Sequence, residues 1–199
     1  MNKGIVTRSA VVRALTPEQI ENRQAEFVIS TESPDTYGTV FRIGGWDLER
    51  YKNNPIVCYN HKFDSSNPDD VIGTSELRIE DNQLIAVVTF ESEEDNPLAE
   101  KVFRKVQNGT LRMASINANI REANWGKFDD GENPDYLYFT KQELLEWSIV
   151  SVGSNPDALK RNTDFINEFK KPEQSENNTK KRSLAVTEAD VELKLKMFK

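Results

Sequence analysis

Residues 71–91 read VIGTSELRIEDNQLIAVVTFE. Two runs rich in β-branched and apolar residues, Val71 to Ile79 and Leu84 to Glu91, flank the polar quartet Glu80-Asp81-Asn82-Gln83. Asp and Asn tolerate the left-handed backbone of a tight turn, so the segment predicts a β-hairpin. The same texture recurs on both sides of it, in Ile5 to Leu15, Ala25 to Thr31, Ile56 to His61, Leu111 to Glu122 and Tyr136 to Val152. Together these make about seven strands separated by polar turns, a spacing that predicts a mainly β fold, sandwich or barrel, with helices at its periphery.

The period changes between Asp95 and Gly109, where Leu98, Val102, Phe103 and Val106 fall on one helical face. Asp95 or Asn96 supplies a cap, Pro97 suits the first turn and Gly109 the stop. A second short helix is expected over Trp46 to Tyr51, between Gly44-Gly45 and Asn53-Asn54-Pro55. Residues 123–135, ANWGKFDDGENPD, read as an exposed loop. After Asn155-Pro156 the character shifts: 158–169 predicts a helix, 171–183 has almost no apolar residue, and 184–199 recovers Val186, Ala189, Leu193 and Met197 at helical spacing. The expected organisation is therefore one domain over 1–160, a helix end and polar linker over 161–183, and an apolar, helical segment over 184–199.

The chain has 199 residues, with 26 Lys plus Arg against 33 Asp plus Glu, a formal charge of −7. No basic footprint for a phosphate backbone is present, so nucleic acid is not an expected partner. No apolar run approaches the roughly 20 residues of a membrane span, so no membrane partner is expected either. Cys58 and His61 are the single cysteine and the single histidine. That supply is too small for a Cys/His zinc site, and a lone cysteine fits a reducing compartment. No glycine-rich phosphate loop occurs, so neither metal nor cofactor is expected.

Three residues carry the chemical interest. His61 ends an apolar run and opens a polar one, which places it at a strand's exit; as the sole histidine it is the sole candidate imidazole base, although it would equally serve as a strand cap. Ser115 alternates with Ala114 and Ile116 so as to share a strand face with Met113 and Asn117, a place where a serine is also commonly just a small residue. Glu146 interrupts the apolar run ELLEWSIV; a buried carboxylate is costly unless paired, so it faces either water or a partner.

The spacing from His61 to Ser115 is 54 positions and from Ser115 to Glu146 it is 31. With the stretches EFVIST from Glu26, GWDL from Gly45, YKNNPIVCYNH ending at His61, the strand bearing Ser115, and ELLEWSIV from Glu143 followed by NPDA from Asn155, the chain resembles the prohead protease family of tailed phages over about residues 20–160. The resemblance implies a β-barrel serine protease related in fold to the herpesvirus assembly proteases. It implies Ser115 as nucleophile, His61 as base and Glu146 as the third, orienting member, with Glu143, Asp64 or no carboxylate as alternatives. It implies capsid and scaffolding proteins, and the protease itself, as substrates inside the immature shell in the host cytoplasm, with self-association allowed for.

Acyl transfer of this kind needs preorganised donors for the oxyanion, and the backbone around Gly153 and Ser154 is the candidate because glycine permits tight turns. The family commonly carries glycine two residues after the serine, where this chain has Asn117. That departure motivates a rival reading, an inactive relative that acts as capsid scaffold or assembly chaperone. A cysteine hydrolase using Cys58 with His61 is a second rival, but positions three apart on a strand point to opposite faces. The tail yields a prediction of its own: truncation near residue 170 should spare peptide hydrolysis and reduce incorporation into precursor capsids. Normal packaging of the truncated protein, measured in purified particles, would exclude the tail as an anchor.

Overall fold

The computed structural model describes residues 5–35 and 37–151. The expected helix over 158–169, the linker, the segment 184–199 and the boundary at residue 160 lie outside these residues. Among the described residues, nine strands and three α-helices run in the order β1 (Ile5–Val12), α1 (Pro17–Glu21), β2 (Gln24–Thr31), β3 (Thr39–Phe41), β4 (Trp46–Asp47), α2 (Glu49–Asn53), β5 (Ile56–Tyr59), β6 (Val71–Glu80), β7 (Gln83–Phe90), α3 (Pro97–Gln107), β8 (Met113–Trp125) and β9 (Leu137–Val150).

The 71–91 hairpin is β6 and β7. Glu80 faces Gln83 across a two-residue turn in which Asp81 and Asn82 adopt φ of 48° and 56°. Both residues tolerate the left-handed region, and such a turn matches the twist of the strands it joins. In α3, Asn96 Oδ1 accepts from the Leu98 and Ala99 amides at 3.0 and 3.1 Å, and Ala99, Val102, Phe103 and Val106 are buried. The expected cap, first-turn proline and apolar face are all present.

Hydrogen-bonded neighbours follow the order β3, β9, β5, β6, β7, β2, β1, β8, and β8 pairs again with β9, so the sheet curls until the path returns to an earlier strand. The fold is mainly β, as expected, but with nine strands among the described residues rather than about seven. The two additional strands, β3 and β4, are only three and two residues long, too short for an alternation to register in sequence. Both lie parallel on the edge of β9 that β5 also uses, at Leu137 to Phe139 and Gln142 to Glu143 respectively.

The helix expected over Trp46 to Tyr51 is corrected by β4. Gly45 passes so close to β9 that a Cβ there would lie 2.3 Å from the Thr140 carbonyl oxygen, and this approach lets Trp46 pair with Gln142. The helix starts only at Glu49. Trp46 stacks on Phe41 with ring centroids 5.2 Å apart. α1 was not foreseen, although Thr16 and Gln19 form a reciprocal capping box at its start. The loop expected over 123–135 is shorter, because β8 continues through Trp125.

The main core joins Phe27, Ile29, Ile72, Ile116, Leu144, Trp147 and Ile149 with the buried face of α3. Trp147 is fully buried against Phe27, and its indole N–H donates to Ser75 Oγ at 2.9 Å. Tyr51 Oη donates to the Ile56 carbonyl at 2.9 Å and also meets Ser75 Oγ at 2.8 Å, tying α2, β5, β6 and β9 together.

One close approach seats β6, which carries β5 on its other edge, against β7. Gly73 pairs with Val57 on one side and Phe90 on the other, and a Cβ at Gly73 would lie 2.2 Å from the Thr89 carbonyl oxygen. Gly73→Ala should therefore force backbone movement and destabilise the domain by about 1–3 kcal/mol, lowering the thermal midpoint by roughly 3–10 °C. A midpoint equal to that of the unsubstituted protein would show that the strand relaxes without cost.

Candidate active site

β5 lies parallel to β9 in the register Val57 to Trp147, Cys58 to Ser148 and Tyr59 to Ile149. The ladder ends where the Asn60 amide donates to the Ile149 carbonyl at 3.0 Å. Asn60 and His61 then take φ of 53° and 58°, and the chain turns away from β9. Left-handed backbone is uncommon outside glycine, although Asn and His are enriched there; each such residue costs on the order of 1–3 kcal/mol. The His61 amide bonds Ser148 Oγ at 3.2 Å.

The opposite wall is the β8–β9 pair. Ser115 faces Ser148, Asn117 faces Glu146 and Asn119 faces Glu143. In a regular strand Glu143 and Glu146, three apart, would point to opposite faces. Here Asn117 pairs with Glu146 and Ala118 with Leu144, so Leu145 is an extra residue on β9. The bulge resets the alternation: Leu144 and Trp147 both enter the core, and both glutamates join the polar face.

Glu146 is 3% exposed, and three donors converge on it. Its Oε1 lies 2.5 Å from His61 Nδ1 and accepts from Asn117 Nδ2 at 2.6 Å, while Oε2 accepts from Ser148 Oγ at 2.8 Å. A carboxylate only accepts, so His61 Nδ1 carries the hydrogen and, in the neutral ring, Nε2 is left with its lone pair. The 3.3 Å approach of Asn117 Nδ2 to His61 Nδ1 then brings two donors side by side on one oxygen rather than a bond between them. Glu143 is engaged elsewhere, with Arg121 at 2.7 Å and Asn119 at 3.3 Å, and Asp64 is exposed in the loop after His61.

Ser115 stands one cross-strand pair from this cluster, on the face of Asn117. It is 1% exposed, and its Oγ has no hydrogen-bond partner among the described residues. The structure thus brings His61 and Glu146 into contact and sets Ser115 beside them without a bond to the imidazole. Gly153 and Ser154 lie outside the described residues. Cys58 is fully buried, and burial pushes its thiol up to about 12, which disfavours the reactive thiolate. No cluster of three or more His, Cys, Asp or Glu that would hold a metal occurs among the described residues.

Two participants were missed in the sequence. Ser148 bonds both His61 and Glu146; the available signal was its place two residues after Glu146, hence on the same strand face. Asn117 is placed by the sequence on the face of Ser115 and read as a departure from glycine, without a role, yet it is one of the donors to Glu146.

Among curated proteins, none matches the chain. Among solved structures, the bacteriophage T4 capsid assembly protease, gp21, aligns with a TM-score of 0.50 at 9% identity, over 74% of this chain and 96% of that one. At that identity the likeness shows the fold. A family model, described as the caudovirus prohead serine protease, matches residues 46–172, a stretch that holds His61, Ser115 and Glu146. With well over half of its length matched, the chain belongs to the caudovirus prohead serine protease family.

Proposed function

We propose that the chain is a serine endopeptidase that cleaves capsid and scaffolding proteins during prohead maturation, and cleaves itself, within the procapsid in the host cytoplasm. The observation that carries the reading is the short His61–Glu146 bond, which fixes the imidazole with Nε2 as acceptor, on the strand face where Ser115 Oγ is unbonded. The curled sheet is taken as a barrel of the herpesvirus assembly-protease type.

In this reading His61 Nε2 removes the Ser115 hydroxyl proton as Oγ attacks the peptide carbonyl, and the imidazolium returns the proton to the leaving amine. Water then enters by the same route and releases the acyl group. Glu146 holds the ring's tautomer and compensates the imidazolium as it forms. Catalytic hydrogen bonds are often loose without substrate and tighten in the Michaelis complex, which accommodates the unbonded Ser115 Oγ. The oxyanion donors are assigned to the backbone around Gly153 and Ser154.

Ser115→Ala should lower cleavage of the capsid precursor by more than about 10⁴-fold with the fold retained. Undiminished cleavage would remove Ser115 as nucleophile. Glu146→Gln keeps the shape without the charge, and kcat should fall by roughly 10²- to 10⁴-fold; a comparable loss confined to Glu143→Gln would transfer the role. A serine-directed covalent probe whose labelling requires both Ser115 and His61 separates an active protease from an inactive scaffold.

The buried thiol is assigned no part in the reaction. Cys58→Ala should retain activity within about twofold, since the change removes one buried atom and no machinery. Loss of activity in a folded Cys58→Ala protein would restore the cysteine reading.

A further inference from the structure

We propose that Ser148 is a positioning residue that locks the His61–Glu146 pair, acting at once on the backbone of one and the carboxylate of the other. The inference rests on the reading of His61 as base and Glu146 as its orienter. It goes beyond that reading because it assigns the alignment of the two to a third side chain.

The argument starts from an incomplete ladder. β5 and β9 exchange regular parallel bonds up to Asn60, whose amide reaches the Ile149 carbonyl. With Asn60 and His61 both left-handed, the next amide, that of His61, leaves the ladder. His61 is half-buried here, and wherever its amide is shielded from water the lack of an acceptor would be costly, on the order of 1–3 kcal/mol. The Ser148 hydroxyl fills the gap: its oxygen accepts the His61 N–H at 3.2 Å, and its own hydrogen goes to Glu146 Oε2 at 2.8 Å.

One hydroxyl therefore stands between the two groups whose relative placement sets the Nδ1 to Oε1 bond. Ser148 is 0% exposed, so no water is at hand to substitute for it. Its proton is committed because the carboxylate has none to give, and this fixes the direction of both bonds. Asn117 steadies Oε1 from the other side through its side-chain amide. Ser148 couples the carboxylate to the backbone of the strained turn that presents the ring.

The single histidine makes the test clean, because the hydrogen-bonded imidazole Nδ1–H gives one assignable downfield proton resonance. Full-length wild type, Ser148→Ala, Glu146→Gln and the double variant are compared by that resonance and by kcat and KM on the capsid precursor. Ser148→Ala should lower kcat roughly 10- to 100-fold with KM nearly unchanged, as expected for a small misplacement of reacting groups, and should move the resonance upfield. In the Glu146→Gln background the same substitution should cost little more, because both act through one contact. An unmoved resonance, a kcat within about twofold of wild type, or an equal loss in both backgrounds overturns the proposal. Full activity of Glu146→Gln instead overturns the base and orienter assignment, and Ser148's part falls with it. A measurement needing no variant is hydrogen exchange in the unsubstituted chain: the His61 amide should be protected relative to the exposed amides that follow it, and exchange at the open-loop rate also overturns the proposal.

Discussion

A carboxylate without water is the controlling feature of this molecule. Glu146 is buried on a strand, and the effective cost of removing such a charge from solvent is several kcal/mol unless donors replace the lost hydration. Three do so, from three different places: the imidazole of His61 after β5, the amide of Asn117 on β8 and the hydroxyl of Ser148 on β9 itself. Backbone devices aim the carboxylate, the amide and the imidazole. The Leu145 bulge turns Glu146 to the polar face, the antiparallel register sets Asn117 opposite it, and two successive left-handed residues swing His61 over it.

The rigidity of that arrangement comes from the other side of the same strand. Glu146 and Ser148 alternate with Trp147 and Ile149, which are fully buried in the main core. Trp147 is held by Phe27 and by Ser75, and Ser75 in turn meets Tyr51 of α2, whose hydroxyl donates to the first residue of β5. The strand that carries the carboxylate and the strand that carries the histidine are thus fixed to each other through the core as well as through their ladder. Polar groups held on strands whose reverse faces are packed keep their geometry better than groups on loops.

The sequence made much of this visible, and the failures share a physical cause. The hairpin, the long strands and α3 were legible because each contains enough residues for a period of 2 or 3.6 to repeat. β3 and β4 were not, since two or three residues establish no period and their pairing depends on contacts with β9, nearly a hundred positions away. The role of Glu146 was half visible: a charge inside an apolar run announces a partner but does not name it. That both Glu143 and Glu146 share a face was beyond simple alternation, because only the cross-strand register reveals the extra residue at Leu145. Ser148 gave only the sign of its place two residues after Glu146, which shows a shared face but not a role. A serine amid Trp147 and Ile149 looks like filler until the turn at Asn60 and His61 leaves an amide in need of an acceptor.

The facing serines Ser115 and Ser148 show how two identical side chains on opposed strands take different parts. Ser148 Oγ has its hydrogen drawn to Glu146 and a lone pair taken by the His61 amide, so it is poorly placed to give up a proton or to attack. Ser115 Oγ is as buried, yet its bonding capacity is unspent among the described residues. A buried hydroxyl left unbonded is unfavourable, and native proteins keep few of them without a reason. Under the proposed assignment the reason is chemical: the free hydroxyl belongs to the residue that must form a new bond, and the saturated one to the residue that must stay still. The same criterion sets Cys58 aside, since a thiol whose ionisation is suppressed by burial can contribute volume to the interface of β5 and β9 but no nucleophile.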